Sequence, residues 1–190
     1  MENDMSNNNF LQRSNGIKNG FVAPYYLGNQ SNKQASNYYN TTQVINLNTK
    51  NLPGIPTVIS GKIYTKDREP VPNAKIEIWH ADDVGAYHTE GSFYFPSQTT
   101  LSGCITANES GIYKIKTIRP GVYGYRARHF HYKISAKGHR TLETQIYFKD
   151  DPRVLIDEIA LVAENCRIID FKFNNIGYLE ADVSIFLPKI

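Results

Sequence analysis

From Pro56 onward the hydrophobic residues keep a period of two, the spacing of strands that bury one face. Thr57-Val-Ile-Ser-Gly-Lys-Ile-Tyr64 predicts a strand, and Lys66-Asp-Arg-Glu-Pro70 a charged turn stopped by proline. Ala74, Ile76 and Ile78 then alternate with Lys75, Glu77 and Trp79, giving one apolar and one mixed face. Asn108-Glu-Ser-Gly111 has turn chemistry and leads into a strand over residues 112–118, which Arg119-Pro-Gly121 breaks. His129-Phe-His-Tyr-Lys-Ile134 and Leu142-Glu-Thr-Gln-Ile-Tyr-Phe148 are further strands around a turn at Lys137-Gly-His139. Residues 167–173 and 183–187 also have extended character, and helical character is confined to residues 154–163. Strands at short regular spacing with Gly and Pro turns indicate an all-β sandwich or barrel.

The first 54 residues differ. They are dense in Asn, Ser and Gln, a composition that buries little surface. Residues 1–54 are therefore expected to be a loosely ordered arm, partly packed on the core through Phe21-Val-Ala-Pro-Tyr25-Tyr26-Leu. Residues 55–190 are expected to be the folded domain. The arm has no positive segment followed by an apolar one, so it is not an intact secretory signal. A cytoplasmic location is preferred, and export with the signal already removed is the alternative. No apolar run approaches the roughly 20 residues of a membrane helix, which excludes a helical membrane span. A net charge of +3 without a basic stripe gives no footprint for nucleic acid. Cys104 and Cys166 are too few for a disulfide scaffold, and free thiols are favoured over a pair.

Chemistry begins at His129-Phe-His131. Residues two apart on a strand share a face with Cβ atoms roughly 6.5–7 Å apart, close enough for both imidazoles to reach one metal ion. Alone the dipeptide is a weak signal, because most such pairs are surface residues. No carboxylate or cysteine accompanies it at ligand spacing. Aromatics make up 12% of the chain, with 13 Tyr against one Trp, so phenols are the available donors. Tyr87 follows the Asp82-Asp-Val-Gly turn and Tyr123 follows Pro120-Gly-Val, where a side chain can be aimed into a cleft. Two anionic phenolates with two neutral imidazoles favour a hard trivalent ion, Fe(III). For either tyrosine by itself, a packed turn aromatic is the ordinary role.

Together the blocks resemble the intradiol ring-cleavage dioxygenases. Gly61-Lys-Ile-Tyr-Thr, Pro70-Val-Pro-Asn-Ala74, Ile78-Trp79-His80-Ala81-Asp82 and Gly85-Ala-Tyr87 occur in that family's order. So do Gly111-Ile-Tyr-Lys-Ile-Lys-Thr117, Pro120-Gly-Val-Tyr123, Arg126-Ala-Arg-His129-Phe-His131 and Thr144-Gln145-Ile-Tyr147-Phe148, over about residues 57–150. The resemblance implies an antiparallel, transthyretin-like β-sandwich with little helix. It implies that Tyr87, Tyr123, His129 and His131 hold Fe(III), with Tyr123 displaced by the arriving catechol and acting as a base. Arg126 matches the family's active-site arginine, which stabilises negative charge on the ring, and Gln145 a glutamine beside the substrate. Trp79 and His80 are expected to support the site by packing. The family's Arg-Pro-x-His is Arg126-Ala127-Arg128-His129 here, and on a regular strand Arg128 faces away from His129.

The activity implied is O2-dependent cleavage of a catechol-type substrate between its two hydroxylated carbons, giving a muconate-type dicarboxylate. Partners are then that substrate and O2, with no nucleic acid and no membrane; homo- and hetero-oligomers both stay open. The chain is similar in length to protocatechuate-type and small exported members, and too short for the helical dimerisation segment of larger catechol-type enzymes. The alternative is an inactive transthyretin-like binding or scaffold subunit, against which all four filled ligand positions argue. A metal site built only on His129, His131 and an acidic neighbour leaves both tyrosine motifs unexplained.

Overall fold

The period-two pattern becomes strands with one buried edge of side chains. In a computed structural model, which describes residues 42–87 and 101–190, Ala74, Ile76 and Ile78 are buried. Lys75 is exposed, and Glu77 and Trp79 are half-buried. The described strands are, in chain order, β1 (Val44–Asn46), β2 (Pro56–Tyr64), β3 (Lys75–Trp79), β4 (Ser102–Thr106), β5 (Ile112–Ile118) and β6 (His129–Ser135). They continue as β7 (Leu142–Phe148), β8 (Ile168–Ile169), β9 (Lys172–Phe173), β10 (Leu179–Asp182) and β11 (Ile185–Phe186).

Two sheets result. One has the order β1-β5-β2-β10-β9, with β11 on the far end of β2; the other is β4-β3-β6-β7-β8. The central ladders, β2 with β5 and β3 with β4 and β6, are antiparallel, as is β6 with β7. Parallel pairing enters at the margins, where β1 joins β5, β10 and β11 join β2, and β8 joins β7. The inner faces share one core. Ile59, Ile63, Tyr113 and Ile115 of the first sheet belong to the same buried cluster as Ile76, Ile78, Phe130, Tyr132 and Ile134 of the second. The all-β sandwich expected from the sequence is the observed fold.

Three details were not expected from the sequence. Residues 167–173 form two strands in different sheets, not one run: β8 pairs with β7 and β9 with β10. Phe171 lies between them, buried against Phe148 at a ring separation of 4.2 Å, and this packing carries the chain across the sandwich. Residues 154–163 are split into a 3-10 turn, Pro152–Leu155, and a single helical turn, α1 (Glu158–Leu161). Each starts at a buried aspartate, Asp151 and Asp157, whose side chain accepts from the first free backbone N–H groups. β1 and the buried Leu47 fall within the first 54 residues and join the main sheet and core. The aromatic patch at residues 21–27 lies outside the described residues.

What positions the site is β6. Phe130, Tyr132 and Ile134 are fully buried in the core, so His129, His131 and Lys133 occupy the other face. In register, His131 sits between Trp79 on β3 and Gln145 on β7, and His129 faces Tyr147.

Candidate metal centre

His129 and His131 converge. The His129 Nε2 and His131 Nε2 atoms are 3.0 Å apart, and the Tyr87 hydroxyl lies 3.2 Å from His131 Nε2. His129 Nδ1 is 2.6 Å from the Ala127 carbonyl, which can only accept, so Nδ1 carries the proton and Nε2 presents a lone pair to the cluster. Trp79 stacks flat on His131, with centroids 4.9 Å apart and planes within 4°, fixing that ring from its other side.

Electrostatics keep both imidazoles neutral. Burial pushes His131 down to about 3, with the charges of His129, Arg126 and His80 adding to the effect. Burial lowers His129 as well, the Ala127 hydrogen bond opposing it. Neutral imidazole is the metal-binding form.

Two loops bring the phenols in. Asp82 Oδ1 accepts from the backbone N–H groups of Val84 and Ala86, closing the turn that ends at Tyr87. The Gly121 N–H donates to the Asp82 carbonyl at 2.6 Å. A Cβ on Gly121 would lie 2.3 Å from the Asp83 carbonyl oxygen, and one on Gly85 (φ +88°) 2.0 Å from that of Val122. The two loops therefore interlock backbone to backbone through glycines. Their tyrosines meet edge to face, with centroids 5.0 Å apart. Tyr87 is largely buried, which pushes its hydroxyl up to about 12 against the lowering charge of Arg126. Tyr123 is 44% exposed, the more accessible of the two.

Beside this cluster lies a polar chain. Arg126 donates from Nε to Asp157 Oδ2 at 2.8 Å and from Nη2 to Gln145 Oε1 at 2.6 Å, with the Tyr147 hydroxyl at 3.3 Å. Tyr147 also donates to Gln145 Oε1 at 2.6 Å. A cavity of about 450 Å³ opens here, lined by Trp79, His131, Gln145, Tyr147, Ile159 and Val162 among others. Asp157 and Tyr147 were not singled out from the sequence. Tyr147 follows from strand register, two positions after Gln145 on the same face of β7. For Asp157 the available signal was an N-cap aspartate before Glu158-Ile-Ala.

The other expected residues take clear places. Arg128 turns away from the histidines to Asp151 Oδ2, 3.1 Å from its Nη1. His80 is buried, with Nε2 2.6 Å from Thr117 Oγ1 and Nδ1 2.7 Å from the Ala81 carbonyl, so both ring nitrogens are engaged outside the His129–His131 pair. Burial holds it down to about 4. His139 stands in the turn before β7, its Nδ1 3.0 Å from the Lys137 carbonyl. Cys104 and Cys166 are exposed and unpaired.

The donor set fits a hard cation. Among the described residues, no three His, Cys, Asp or Glu side chains cluster in a metal-binding arrangement, and the Tyr87 hydroxyl is the oxygen that approaches His131 Nε2, at 3.2 Å. Ligand–ligand separations near 3 Å are what bonds of about 2.0–2.2 Å produce around one ion. A phenol that burial makes reluctant to ionise gains its charge most readily beside a highly charged cation.

The family model described as Dioxygenase matches residues 23–181. A catechol 1,2-dioxygenase of Acinetobacter baylyi is 32% identical over 135 residues, 62% of this chain and 43% of its own length. A hydroxyquinol 1,2-dioxygenase of a Rhizobium species is 30% identical over 137 residues, 63% of this chain and 46% of its own. The chain thus spans about half the length of these curated relatives. Among solved structures, the dioxygenase domain of a dioxygenase–carbohydrate-binding fusion from Streptomyces sp. SirexAA-E superposes with a TM-score of 0.66 at 27% identity. That match covers 76% of this chain and 87% of the other. The mercury-inhibited catechol 1,2-dioxygenase of Acinetobacter sp. ADP1 gives 0.65 at 26% identity, covering 77% of this chain and 57% of the other. No helix among the described residues is long and apolar enough to cross a membrane.

Proposed function

The chain belongs to the intradiol dioxygenase family, and from that premise we propose that it cleaves a catechol-type ring between its two hydroxylated carbons with O2. In this reading Tyr87, Tyr123, His129 and His131 hold Fe(III). The observation that carries it is the convergence of two neutral imidazole nitrogens and the Tyr87 oxygen at 3.0–3.2 Å, with Tyr123 against Tyr87 and a cavity of about 450 Å³ reaching His131. Ferric iron held there would supply Lewis-acid chemistry, withdrawing electron density from a catechol-type ring.

The chain's own groups do the rest. His129 and His131 stay fixed, one by the Ala127 carbonyl and the other by Trp79. Tyr87, buried, is the permanent phenolate. Tyr123, the more exposed, would be the phenol that gives way to the substrate, and its oxygen would hold one of the two catechol protons, the second passing to solvent. Arg126 holds a fixed positive charge in front of Gln145, where negative charge develops on the ring, and costs no reorganisation at the moment of reaction. Trp79, Ile159 and Val162 give apolar walls for an aromatic ring. The product is a ring-opened dicarboxylate of the muconate type.

The test is product analysis on the full chain supplied with ferric iron and offered catechol, protocatechuate and hydroxyquinol in turn. At least one is expected to yield its ring-opened dicarboxylic acid with O2 consumed. Iron uptake without product from any of them would favour a binding or scaffold subunit and overturn the enzymatic reading.

A further inference from the structure

Asp157 does more than start a helical turn. Its side chain is fully buried, and its two oxygens serve four N–H groups. Oδ1 accepts from the backbone of Ile159 at 3.0 Å and Ala160 at 3.1 Å, capping α1. Oδ2 accepts from Arg126 Nε and from the Ala127 backbone, both at 2.8 Å. Arg126 is a long side chain in the loop before β6, still 27% exposed, and a guanidinium so placed would ordinarily sample many rotamers. Because the group is planar, holding Nε on Asp157 and Nη2 on Gln145 fixes both its plane and the direction its charge faces.

We propose that Asp157 is the positioning residue for Arg126, and that it ties the arginine to α1, whose Ile159 lines the cavity. The proposal rests on the ring-cleavage reading of the site. The carboxylate is well suited to both tasks at once, since each oxygen serves one element. Serine at this position still caps a helix through its hydroxyl, but is too short to reach the arginine. Asparagine offers one acceptor oxygen in place of two, so it satisfies the cap or the arginine, not both.

Two readouts on the full chain test this. In the metal-free protein the Arg126 Nε–H should give a slowly exchanging NMR resonance, identified by its absence in Arg126→Gln and lost in Asp157→Ser. In the iron-loaded protein Asp157→Ser should lower kcat roughly 10- to 100-fold, with KM and iron colour little changed, the scale expected for misplacing one preorganised group. Built onto Arg126→Gln, the same substitution should cost nothing further, because the group it positions is gone. If Asp157→Ser does not fold, Asp157→Thr, which also caps a helix through its hydroxyl and is too short to reach the arginine, carries the same comparison. A resonance retained in Asp157→Ser, an unchanged kcat, or an equal loss in the Arg126→Gln background would each overturn the proposal. If the wild type cleaves no catechol while the resonance is present and vanishes in Asp157→Ser, the clamp stands and the ring-cleavage reading falls.

Discussion

Gly121→Ala tests the interlock that brings the two phenols together. The added Cβ would sit 2.3 Å from the Asp83 carbonyl oxygen and 2.4 Å from the Gly85 nitrogen, both backbone atoms that cannot rotate aside. Ordinary contact begins near 3.4 Å, so the loops must part by about 1 Å. Overpacking of this kind costs about 1–3 kcal/mol, or roughly 3–10 °C in Tm for a chain of this size. The larger effect falls on the site. Metal ligands tolerate displacements of about 0.2 Å, so parting the loops of Tyr87 and Tyr123 should weaken iron binding about 10- to 100-fold. Gly138→Ala is the control. Its φ of +76° makes alanine strained, but a Cβ there meets nothing within 4 Å and is remote from the cluster. Thermal melts and ferric titrations followed by visible absorbance should show both variants less stable and only Gly121→Ala deficient in iron. Wild-type iron affinity in Gly121→Ala would refute the interlock as what sets the phenols.

Other consequences follow from the same geometry. Tyr87→Phe and Tyr123→Phe should each shift or bleach the phenolate-to-iron absorption of the loaded protein, and a spectrum unchanged by both would remove the phenolates from the ligand set. His129→Ala or His131→Ala should sharply lower iron content measured by metal analysis, whereas His139→Ala, in its separate turn, should not; equal losses would contradict the strand-face assignment. In the metal-free protein, His80 and His131 are held down to about 4 and about 3, so below about pH 6.5 the unfolded chain binds more protons than the folded one. Stability should therefore fall as pH drops from about 6.5 toward 4, by up to about 1.4 kcal/mol per unit for each group. A urea midpoint equal at pH 7 and pH 5 would count against buried neutral histidines.

The alternation at Ala74, Ile76 and Ile78 made β3 legible, as Phe130, Tyr132 and Ile134 did for β6, because each strand buries one face completely. β4 escaped notice for the opposite reason: of its five residues only Ile105 is buried. β1 is three residues long with Val44 half in solvent, and its place comes from parallel pairing with β5, which no local pattern encodes. The convergence of His129 and His131 was legible from their spacing on one strand. The contact between Tyr87 and Tyr123 depends on two loops meeting from distant parts of the chain, and their motifs announced them only jointly. Asp157 was opaque, since its partner Arg126 lies 31 residues earlier and meets it only when α1 folds back over the start of β6.

The central claim is intradiol cleavage, and isotope tracing tests it most directly. Iron-loaded protein given a turned-over catechol under 18O2 is expected to consume the gas and yield a dicarboxylic acid carrying label from both oxygen atoms, one at each former hydroxylated carbon. A semialdehyde from cleavage beside the two hydroxyls, or a product with no label, would contradict it.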